Sequence, residues 1–475
     1  MIDKQFVRPL LILLLAVLII LVVFPFIPEW DNDIFPIKRM NLIAQLLGRD
    51  SLAVADSVAL EVAQQRTTAK ELEPLESFWA KLGEHKKGKR GQLRIAYFGD
   101  SIIEGDLVSG TLRKELQALY GGQGVGLVGI TSIVNRFRKT IVHSFSPNWQ
   151  SNSFMTKSSG PLGILGHTYI PQSYQVQERT IIPEAEATED SLGNVDTTAV
   201  AEPQKVKERV PYGGPAWVEY AGTSFAGGAR TFSQIRLFYS KAPEETQITV
   251  IYDGETRAQH TLIPSDELQV LNLSPARPVR KIRLEFPSHK PVHVYGLSFD
   301  QPTGIYVDNI SIRGFSGMYF NRIPSNLLDA FARHLKYDLV ILQYGENVSN
   351  PKTTNYDFYR KGMIKSVEHI KASMPGVPIL IISAHDRSVR TASGYQTSPD
   401  IPILVHAQSR VAEETGSAFW NLFSEMGGLN SMANWVNASP ALASKDYTHF
   451  TIRGAAKVGE MLLKVINNQP EGLRR

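Results

Sequence analysis

The chain has 475 residues, of which 43% are hydrophobic and 20% are charged, and its formal net charge is +4. Because this length exceeds one typical domain of roughly 100–200 residues, more than one folded unit is expected. The lack of a long Lys/Arg run argues against a nucleic-acid partner, and the absence of cysteine excludes disulfides, thiolate metal sites, a cysteine nucleophile and a lipidated cysteine anchor.

The first predicted element is an apolar segment near the N-terminus. Residues 10–27 are almost wholly aliphatic or aromatic, with Lys4 and Arg8 before them and acidic residues after them. About 18 apolar residues can cross a bilayer as a helix, and the exit of this segment lacks the small residues of a signal-peptidase site. The positive-inside bias places the N-terminus in the cytoplasm. We therefore predict that residues 1–30 form a signal anchor, a single transmembrane helix in the inner (cytoplasmic) membrane, with the rest of the chain periplasmic or otherwise extracytoplasmic.

The next segment, residues 31–91, is predicted to be a helical stalk. Apolar residues recur at helical spacing between Leu42 and Val62, which indicates one or two amphipathic helices. Such helices would either pack on the domain that follows or only separate that domain from the membrane, and the pattern favours neither alternative.

Alternating strand and helix patterns predict an α/β domain in two parts, residues 92–143 and 301–470. The first apolar run ends in a Gly-Asp-Ser turn and is followed by a helical pattern. Apolar runs typical of buried strands recur at residues 339–342 and 379–382, and each precedes another helical pattern. Because strands that alternate with helices pair in parallel, we predict a three-layer fold with a parallel sheet between two layers of helices.

A different pattern separates these two parts. Residues 144–300 contain short strand candidates in which apolar and polar residues alternate, and turns with Pro or Gly separate them. This spacing predicts a β-sandwich inserted into the α/β domain. Within it, residues 184–208 are rich in Ala, Thr, Glu and Asp and have few large apolar side chains, so we predict a disordered loop.

Residues suited to nucleophilic catalysis stand at two places in this pattern. Ser101 lies where the first strand ends and a helix begins, and the N–H groups at a helix N-terminus stabilise negative charge, such as that of a reaction oxyanion. A serine nucleophile needs a base, and the base needs an acid that orients it. Asp446 and His449 stand three residues apart before the last helical pattern, where both can face the mouth of the sheet.

Four short motifs resemble, in order, the four sequence blocks of the SGNH (GDSL-like) hydrolases. They are Gly99-Asp100-Ser101 with Gly105, Arg313-Gly314-Phe315-Ser316-Gly317, Tyr344-Gly345-Glu346-Asn347, and Asp446-Tyr447-Thr448-His449. The resemblance implies a flavodoxin-like fold in which Ser101 is the nucleophile, His449 the base and Asp446 the orienting acid. It also implies an oxyanion hole built from the N–H groups of Ser101 and Gly317 and the side chain of Asn347, with no metal or cofactor. The family usually has Asp after this Asn, where the chain has Val348.

The resemblance extends to a branch of that family, the peptidoglycan and polysaccharide O-acetylesterases. Residues 121–126 and 420–428 are similar to segments of that branch, in which a carbohydrate-binding-like β-domain interrupts the hydrolase domain. The similarity implies a membrane-anchored extracytoplasmic serine esterase that removes O-acetyl groups from a cell-envelope glycan. The expected partners are the O-acylated glycan and the membrane.

Three further residues are candidates for substrate binding. Asp100 adjoins the predicted nucleophile, and His385 follows a predicted strand at the edge of the sheet where sites lie. Trp217, in the inserted β-domain, is of the type that can stack on a sugar ring. An ordinary strand-end turn for His385 and core packing for Trp217 are the alternative interpretations.

Two other functions remain open at this level. An O-acetyltransferase would use the same triad with a sugar hydroxyl in place of water, and it would need a multi-span partner to bring the acyl donor across the membrane. The second alternative is a glycan-binding protein with an inactive hydrolase fold. The joint presence of Ser101, Gly317, Asn347, Asp446 and His449 argues against that second alternative.

Overall fold

The structure of the chain is a computed structural model that describes residues 57, 59–156, 160–181, 188–189, 195–196, 204–225, 227–467 and 469. The predicted signal anchor, residues 1–30, lies outside the described residues, as does the part of the predicted stalk before residue 57. Within the described ranges, no helix is both long enough and apolar enough to cross a membrane.

Helices and strands alternate in two parts of the chain that flank a long all-β segment. The α-helices are α1 (Ala69–Leu72), α2 (Glu76–Lys86), α3 (Leu107–Tyr120), α4 (Ser325–Leu335), α5 (Asp357–Ser373), α6 (Ile401–Thr415), α7 (Leu422–Glu425), α8 (Ser431–Asn437) and α9 (Ile452–Asn467). The strands are β1 (Gln92–Gly99), β2 (Gly126–Val128), β3 (Val142–Phe145), β4 (Trp149–Ser153), β5 (His167–Pro171), β6 (Tyr174–Ile181), β7 (Thr188–Glu189), β8 (Val195–Asp196), β9 (Gln204–Pro211), β10 (Ala216–Ala221), β11 (Gln234–Ser240), β12 (Gln247–Tyr252), β13 (Thr256–Thr261), β14 (Gln269–Asn272), β15 (Lys281–Phe286), β16 (His293–Asp300), β17 (Gly304–Ser311), β18 (Leu339–Gln343), β19 (Ile379–Ile382), β20 (Ser388–Thr391), β21 (Gly394–Thr397) and β22 (Ala418–Trp420).

Five parallel strands form the central sheet, in the order β17-β1-β18-β19-β22. Numbered along the α/β domain alone, this is the flavodoxin-like order 2-1-3-4-5, so the predicted parallel sheet is confirmed. Alternate residues of β1 point to opposite faces: Ala96 and Phe98 pack with α4, α5 and α6, whereas Ile95 and Tyr97 pack with α2, α3 and α9. Because helices cover both faces, β18, β19 and β22 are apolar at nearly every position.

The N-terminal helices pack against the α/β domain. Phe78 of α2 is fully buried against the sheet, and the indole Nε1 of Trp79 donates to the carbonyl of Ile466 in α9 at 3.0 Å. The side-chain amide of Asn421 donates to three backbone carbonyls of the segment that precedes α1. The sequence pattern favoured neither packing nor separation for the predicted stalk. These tertiary contacts show that residues 59–86 pack on the α/β domain.

Two antiparallel sheets form the inserted β-sandwich. One has the order β13-β12-β15-β10-β3, and the other has the order β14-β11-β16-β5-β4 with β2 paired to β16. Apolar side chains of both sheets, such as Val218 and Leu237, share one core. The sandwich begins before the predicted boundary at residue 144, because β2 and β3 already belong to its sheets. With three residues, β2 is too short to show an alternating pattern.

The segment predicted as a disordered loop, residues 184–208, contains paired strands. β6 and β9 form an antiparallel hairpin that includes residues 204–208, and β7 pairs with β8. For these strand residues the prediction of disorder is wrong. Cross-strand neighbours of opposite charge, such as Glu178 and Lys207, favour pairing even where large apolar side chains are few. The other residues of the predicted loop lie outside the described ones.

A buried arginine joins the α/β domain to the sandwich. Arg94 on β1 is 1% exposed, and its guanidinium lies 3.0 Å from Asp300 on β16 and 2.7 Å from Asp308 on β17. Burial alone would lower the pKa of Arg94, but the two carboxylates raise this pKa well above its ordinary value. Arg94 therefore stays positively charged, and its charge stabilises the carboxylates of Asp300 and Asp308, which are buried away from solvent.

Replacing this arginine should destabilise the whole fold. Arg94→Ala is expected to lower the free energy of unfolding by about 3–5 kcal/mol, because it leaves buried carboxylates without their cation. Chemical denaturation followed by tryptophan fluorescence measures the change. Arg410→Ala is the matched control, since Arg410 is half exposed and pairs with Glu413 on a helix surface, and its effect should stay below about 1 kcal/mol. Equal unfolding midpoints for Arg94→Ala and the wild type would contradict the expectation.

Candidate active site

The predicted triad and oxyanion-hole residues meet at the carboxyl edge of the central sheet. Ser101 follows β1, and Asn347 follows the neighbouring strand β18. In the order 2-1-3-4-5 the strand sequence reverses between these two strands, which leaves a crevice at their carboxyl ends. Gly317 follows β17 on the other side of β1, and His449 precedes α9.

A chain of two hydrogen bonds links Ser101, His449 and Asp446. Ser101 Oγ lies 3.0 Å from His449 Nε2, and His449 Nδ1 lies 2.7 Å from Asp446 Oδ2. Burial alone would raise the pKa of Asp446, but hydrogen bonds from His449 and from the Thr448 N–H lower it. Asp446 is therefore a carboxylate at neutral pH. Asp446 accepts a hydrogen bond from the Nδ1–H of His449, which keeps the imidazole proton on Nδ1 and leaves Nε2 able to accept the proton of the Ser101 hydroxyl.

The residues of this chain are open to solvent. The side chains of His449 and Asp446 are 43% and 50% exposed, and Ser101 is half-buried. An ester carried on a large molecule can therefore approach Ser101 from outside the protein.

The loop that carries Asp446 and His449 is held from two sides. The N–H of Ser444 donates to the carbonyl of His449 at 2.8 Å, and the N–H of Ser388 in β20 donates to the carbonyl of Tyr447 at 3.1 Å. The ring of Tyr395 in β21 stacks on that of Tyr447, with centroids 3.6 Å apart. The hairpin β20–β21 thus supports the outer side of the loop.

The turn that carries Ser101 is tied to the strand beside it. The side-chain amide of Asn309, on β17, donates to the carbonyl of Ile103 at 2.8 Å. The carboxylate of Glu104 forms an ion pair with Arg313, which stands in the turn that leads to Gly317. These contacts fix the Ser101 turn and the Gly317 turn relative to each other.

Gly317 occupies a position that a larger residue could not fill. Its φ is +85°, a left-handed conformation, and an added Cβ would lie 2.7 Å from the ring of Tyr344 and 2.9 Å from Met363 Sδ. Among the described residues, no group accepts a hydrogen bond from the N–H of Gly317 or from that of Ser101. Both N–H groups are therefore available to a substrate oxygen.

Asn347 is held by a buried carboxylate. Its Nδ2 donates to Asp100 Oδ2 at 2.8 Å and to the carbonyl of Phe315 at 3.2 Å. Asp100 is 1% exposed and also accepts from the N–H of Ile102 at 3.0 Å. Burial raises the pKa of Asp100 to about 6, although these hydrogen bonds oppose the shift. The sequence suggested that Asp100 contacts substrate, but its buried carboxylate instead accepts a hydrogen bond from Asn347. Asp100 thus supplies a carboxylate beside Asn347, which Val348 cannot do.

The other two candidate substrate-binding residues, His385 and Trp217, have contacts within the protein. His385 is 1% exposed and points at the backbone of Thr448, so a substrate in solvent cannot reach it. Trp217 belongs to β10 of the sandwich, where the Arg283 guanidinium lies 4.0 Å from its ring centroid and its carbonyl accepts from Trp149 Nε1. The burial of His385 is not compatible with the predicted contact with substrate, whereas for the half-buried Trp217 that contact stays a prediction.

Sequence reasoning overlooked Asn309, Glu104 and Glu346. Asn309 and the adjacent Asp308 are polar residues within the buried strand β17, which is a signal in the sequence. Glu104 and Glu346 stand inside the quoted motifs, at positions to which the motifs assign no role. Their partners, Arg313 and His385, are distant in the chain and give no local signal.

The sheet order 2-1-3-4-5, with a serine after the first strand and an Asp-His pair before the last helix, is the arrangement expected from the sequence motifs. Among solved structures, the chain is similar to a peptidoglycan O-acetylesterase, with a TM-score of 0.61 and 21% identity over 84% of this chain and 96% of that chain. This similarity establishes a shared fold. Two acetylxylan esterases match with a TM-score of 0.26 each, which is too low to bear on the fold. AlAXEase is 15% identical over 33% of this chain and 79% of that chain. Axe2 from Geobacillus stearothermophilus is 18% identical over 35% of this chain and 74% of that chain. No protein-family model and no curated protein matches the chain.

Gly317→Ala should lower activity far more than its cost in stability explains. The new methyl group must displace the backbone from Tyr344 and Met363, which moves the N–H away from the substrate oxygen. Loss of one such donor lowers kcat by roughly 10²- to 10³-fold. The matched control is Gly376→Ala, because Gly376 also has a positive φ of +75° but open space around its Cβ position. Gly376→Ala should lose about 1–2 kcal/mol of stability from its positive φ alone. Gly317→Ala should lose somewhat more because of the contacts of its methyl group, and only Gly317→Ala should lose activity against model esters. Wild-type kcat in Gly317→Ala would exclude a role for this N–H.

Proposed function

We propose that this protein is a serine esterase that removes O-acetyl groups from a glycan. The observation that carries the proposal is the hydrogen-bonded chain from Ser101 through His449 to Asp446 at the crevice of the sheet. Its geometry matches the roles of nucleophile, general base and orienting acid.

The reaction follows from this geometry in two halves. His449 Nε2 takes the proton of Ser101 as Oγ attacks the ester carbonyl carbon, and Asp446 stabilises the imidazolium that forms. The negative oxygen is stabilised by the N–H groups of Ser101 and Gly317 and by Asn347, whose longer contact, to Phe315, is the one that an oxyanion would replace. His449 then protonates the departing sugar oxygen, which leaves Ser101 acetylated. Water, deprotonated by His449, attacks the acetyl carbonyl and releases acetate, and the proton returns to Ser101.

A glycan is proposed as the carrier of the ester for two reasons. The triad residues are open to solvent, which suits an acetyl group on a bulky polymer. The similar solved structure is named as a peptidoglycan O-acetylesterase, and the match covers 84% of this chain, so it includes the inserted sandwich as well as the α/β domain. The apolar segment at residues 10–27 supports the further proposal that the enzyme acts outside the cytoplasm from a membrane anchor.

The proposal is tested with the full-length wild type and Ser101→Ala in detergent. Each is incubated with O-acetylated peptidoglycan and, separately, with an O-acetylated polysaccharide, with and without a sugar acceptor, and free acetate and acetylated acceptor are quantified. Acetate release that disappears in Ser101→Ala is the expected result. Acceptor acetylation faster than acetate release would replace the proposal with an O-acetyltransferase. Glycan binding without either product would replace it with a binding protein.

A further inference from the structure

Two exposed apolar side chains of the inserted sandwich lie against the turns of the active site. Phe137, in the loop that joins β2 to β3, is 48% exposed, and Met155, directly after β4, is 59% exposed. A Cβ added at Gly105 would lie 2.4 Å from the ring of Phe137, and one added at Gly314 would lie 3.1 Å from Met155 Cε. Each side chain therefore covers a glycine of a motif turn, while about half of it stays open to solvent.

The loop of Phe137 is held by a buried carboxylate of the Ser101 turn. Thr140 Oγ1 donates to Asp106 Oδ2 at 2.6 Å, and the guanidinium of Arg138 donates to the same oxygen at 3.2 Å. Asp106 is 2% exposed and stands five positions after Ser101. These bonds fix the loop beside the nucleophile, so the fold does not need the exposed ring of Phe137 for that purpose.

Met155 is held on the Gly317 turn by its buried neighbour. The ring of Phe154, which is 7% exposed, stacks on that of Phe315 with centroids 4.3 Å apart. The guanidinium of Arg322 donates to the carbonyl of Phe154 at 2.8 Å. Phe315 stands two positions before Gly317, so Met155 is fixed beside a proposed oxyanion donor.

An ion pair joins the two turns on which these side chains lie. Glu104 and Arg313, one from each turn, form this pair. The Glu104 side chain is 8% exposed and that of Arg313 is 56% exposed, so the charge that is open to solvent is positive. Phe137 and Met155 therefore lie on adjoining turns that also carry an exposed cation.

The segments around the two apolar side chains are basic. Arg136 and Lys139 stand close to Phe137 in the chain, and both are exposed. Residues 129–142 and 311–323 contain no acidic residue. A surface of this kind suits a ligand with both apolar faces and negative charge. An acidic glycan has both, because its sugar rings present C–H faces and its substituents carry carboxylates.

We propose that these side chains form a binding rim for an anionic glycan: Phe137 and Met155 contact the C–H faces of its sugar rings, and Arg136, Lys139 and Arg313 pair with its carboxylates. The inserted sandwich is then a part of the active site and not a separate binding module. The inference rests on the proposed function in taking a glycan as the carrier of the ester.

Polar replacements test the apolar contacts. Phe137→Gln and Met155→Gln keep a side chain over each glycine and remove the apolar surface. The readouts are kcat/KM for solubilised O-acetylated peptidoglycan and for a small acetyl ester, measured with the full-length protein in detergent. The double variant should lose roughly 10- to 100-fold more on peptidoglycan than on the small ester, mainly through KM, because only the large substrate buries these side chains.

The ratio of the two kcat/KM values separates the rim from damage to the fold, because unfolding or a displaced turn lowers both values. Ile263→Gln is the matched control and should leave the ratio unchanged. Ile263 is 61% exposed and follows β13, which lies at the opposite edge of its sheet from β3. A double variant with the wild-type ratio would overturn the inference.

A binding measurement distinguishes failure of the rim from failure of the proposed function. The Ser101→Ala protein, with and without the two glutamine replacements, is sedimented with insoluble O-acetylated peptidoglycan. The replacements should weaken retention by roughly tenfold or more. If the wild type releases no acetate while retention still depends on the rim, the proposed function fails and the rim does not. Equal retention of both proteins, or retention of neither, overturns the rim.

Salt dependence gives a readout for the cations. Wild-type kcat/KM for peptidoglycan should fall several-fold between about 0.05 M and about 0.5 M NaCl, while the value for an uncharged small ester changes less, because salt screens attraction between exposed charges. Replacing both Arg136 and Lys139 by glutamine should reduce this dependence on salt. The same response to salt for both substrates in the wild type would overturn the assignment of an anionic glycan.

Discussion

Ser101→Ala and His449→Ala should each lower kcat for acetate release by roughly 10⁴- to 10⁶-fold. Ser101 Oγ and His449 Nε2 lie 3.0 Å apart, and attack by the hydroxyl requires that its proton leave at the same moment. Removing either side chain ends that step. Because the two act as a unit, the double variant should be about as slow as the slower single variant and not slower by the product of both losses.

Initial rates of acetate release at equal enzyme concentration measure this effect. The control is His289→Ala, since His289 is exposed on the sandwich and should leave kcat unchanged. Losses that multiply in the double variant would mean that Ser101 and His449 contribute independently, which the hydrogen bond between them does not allow. Retention of even one part in a hundred of wild-type kcat by Ser101→Ala would exclude it as the nucleophile.

Asp446→Asn should lower kcat by roughly 10³- to 10⁴-fold while the fold is retained. Asparagine keeps the oxygen that accepts from the N–H groups of Thr448 and His449, each at 3.0 Å, so the loop conformation should survive. Its amide, however, donates where the carboxylate accepted. His449 Nδ1 must then accept, the imidazole proton moves to Nε2, and Nε2 can no longer take the proton of Ser101.

The test of this tautomer argument combines activity with stability. Circular dichroism melting should give similar curves for Asp446→Asn and the wild type, while kcat falls. Asp357→Asn is the matched control, because Asp357 is also an exposed carboxylate that pairs with a basic residue three positions away in the chain, Arg360, and the kcat of this variant should not change. A kcat for Asp446→Asn within tenfold of the wild type would mean that another group orients His449.

The central sheet was predictable because its patterns are local. All five residues of β18 are buried, so the strand is recognisable as a continuous apolar run without knowledge of its neighbours. The start of the sandwich was not predictable, because β2 has three residues and only its pairing with β16 makes it a strand. Helical periodicity predicted amphipathic segments before the α/β domain but could not say where their apolar faces pack. That depends on the complementary surface that the sheet and α9 present.

The sequence by itself determined which residue types stand at Ser101, Gly317, Asn347, Asp446 and His449, and in what order, since a motif is a property of the linear chain. Only the tertiary structure decided how they are supported. The hydrogen bond from Asn347 to Asp100 joins residues 247 positions apart, and that between Ser101 and His449 spans 348 positions. His385, a candidate substrate contact in the sequence, is instead a buried residue whose Nε2 lies 2.7 Å from the carbonyl oxygen of Thr448. A hydrogen bond requires a separation of about 3 Å. Only the packing of whole strands and helices sets distances to that accuracy.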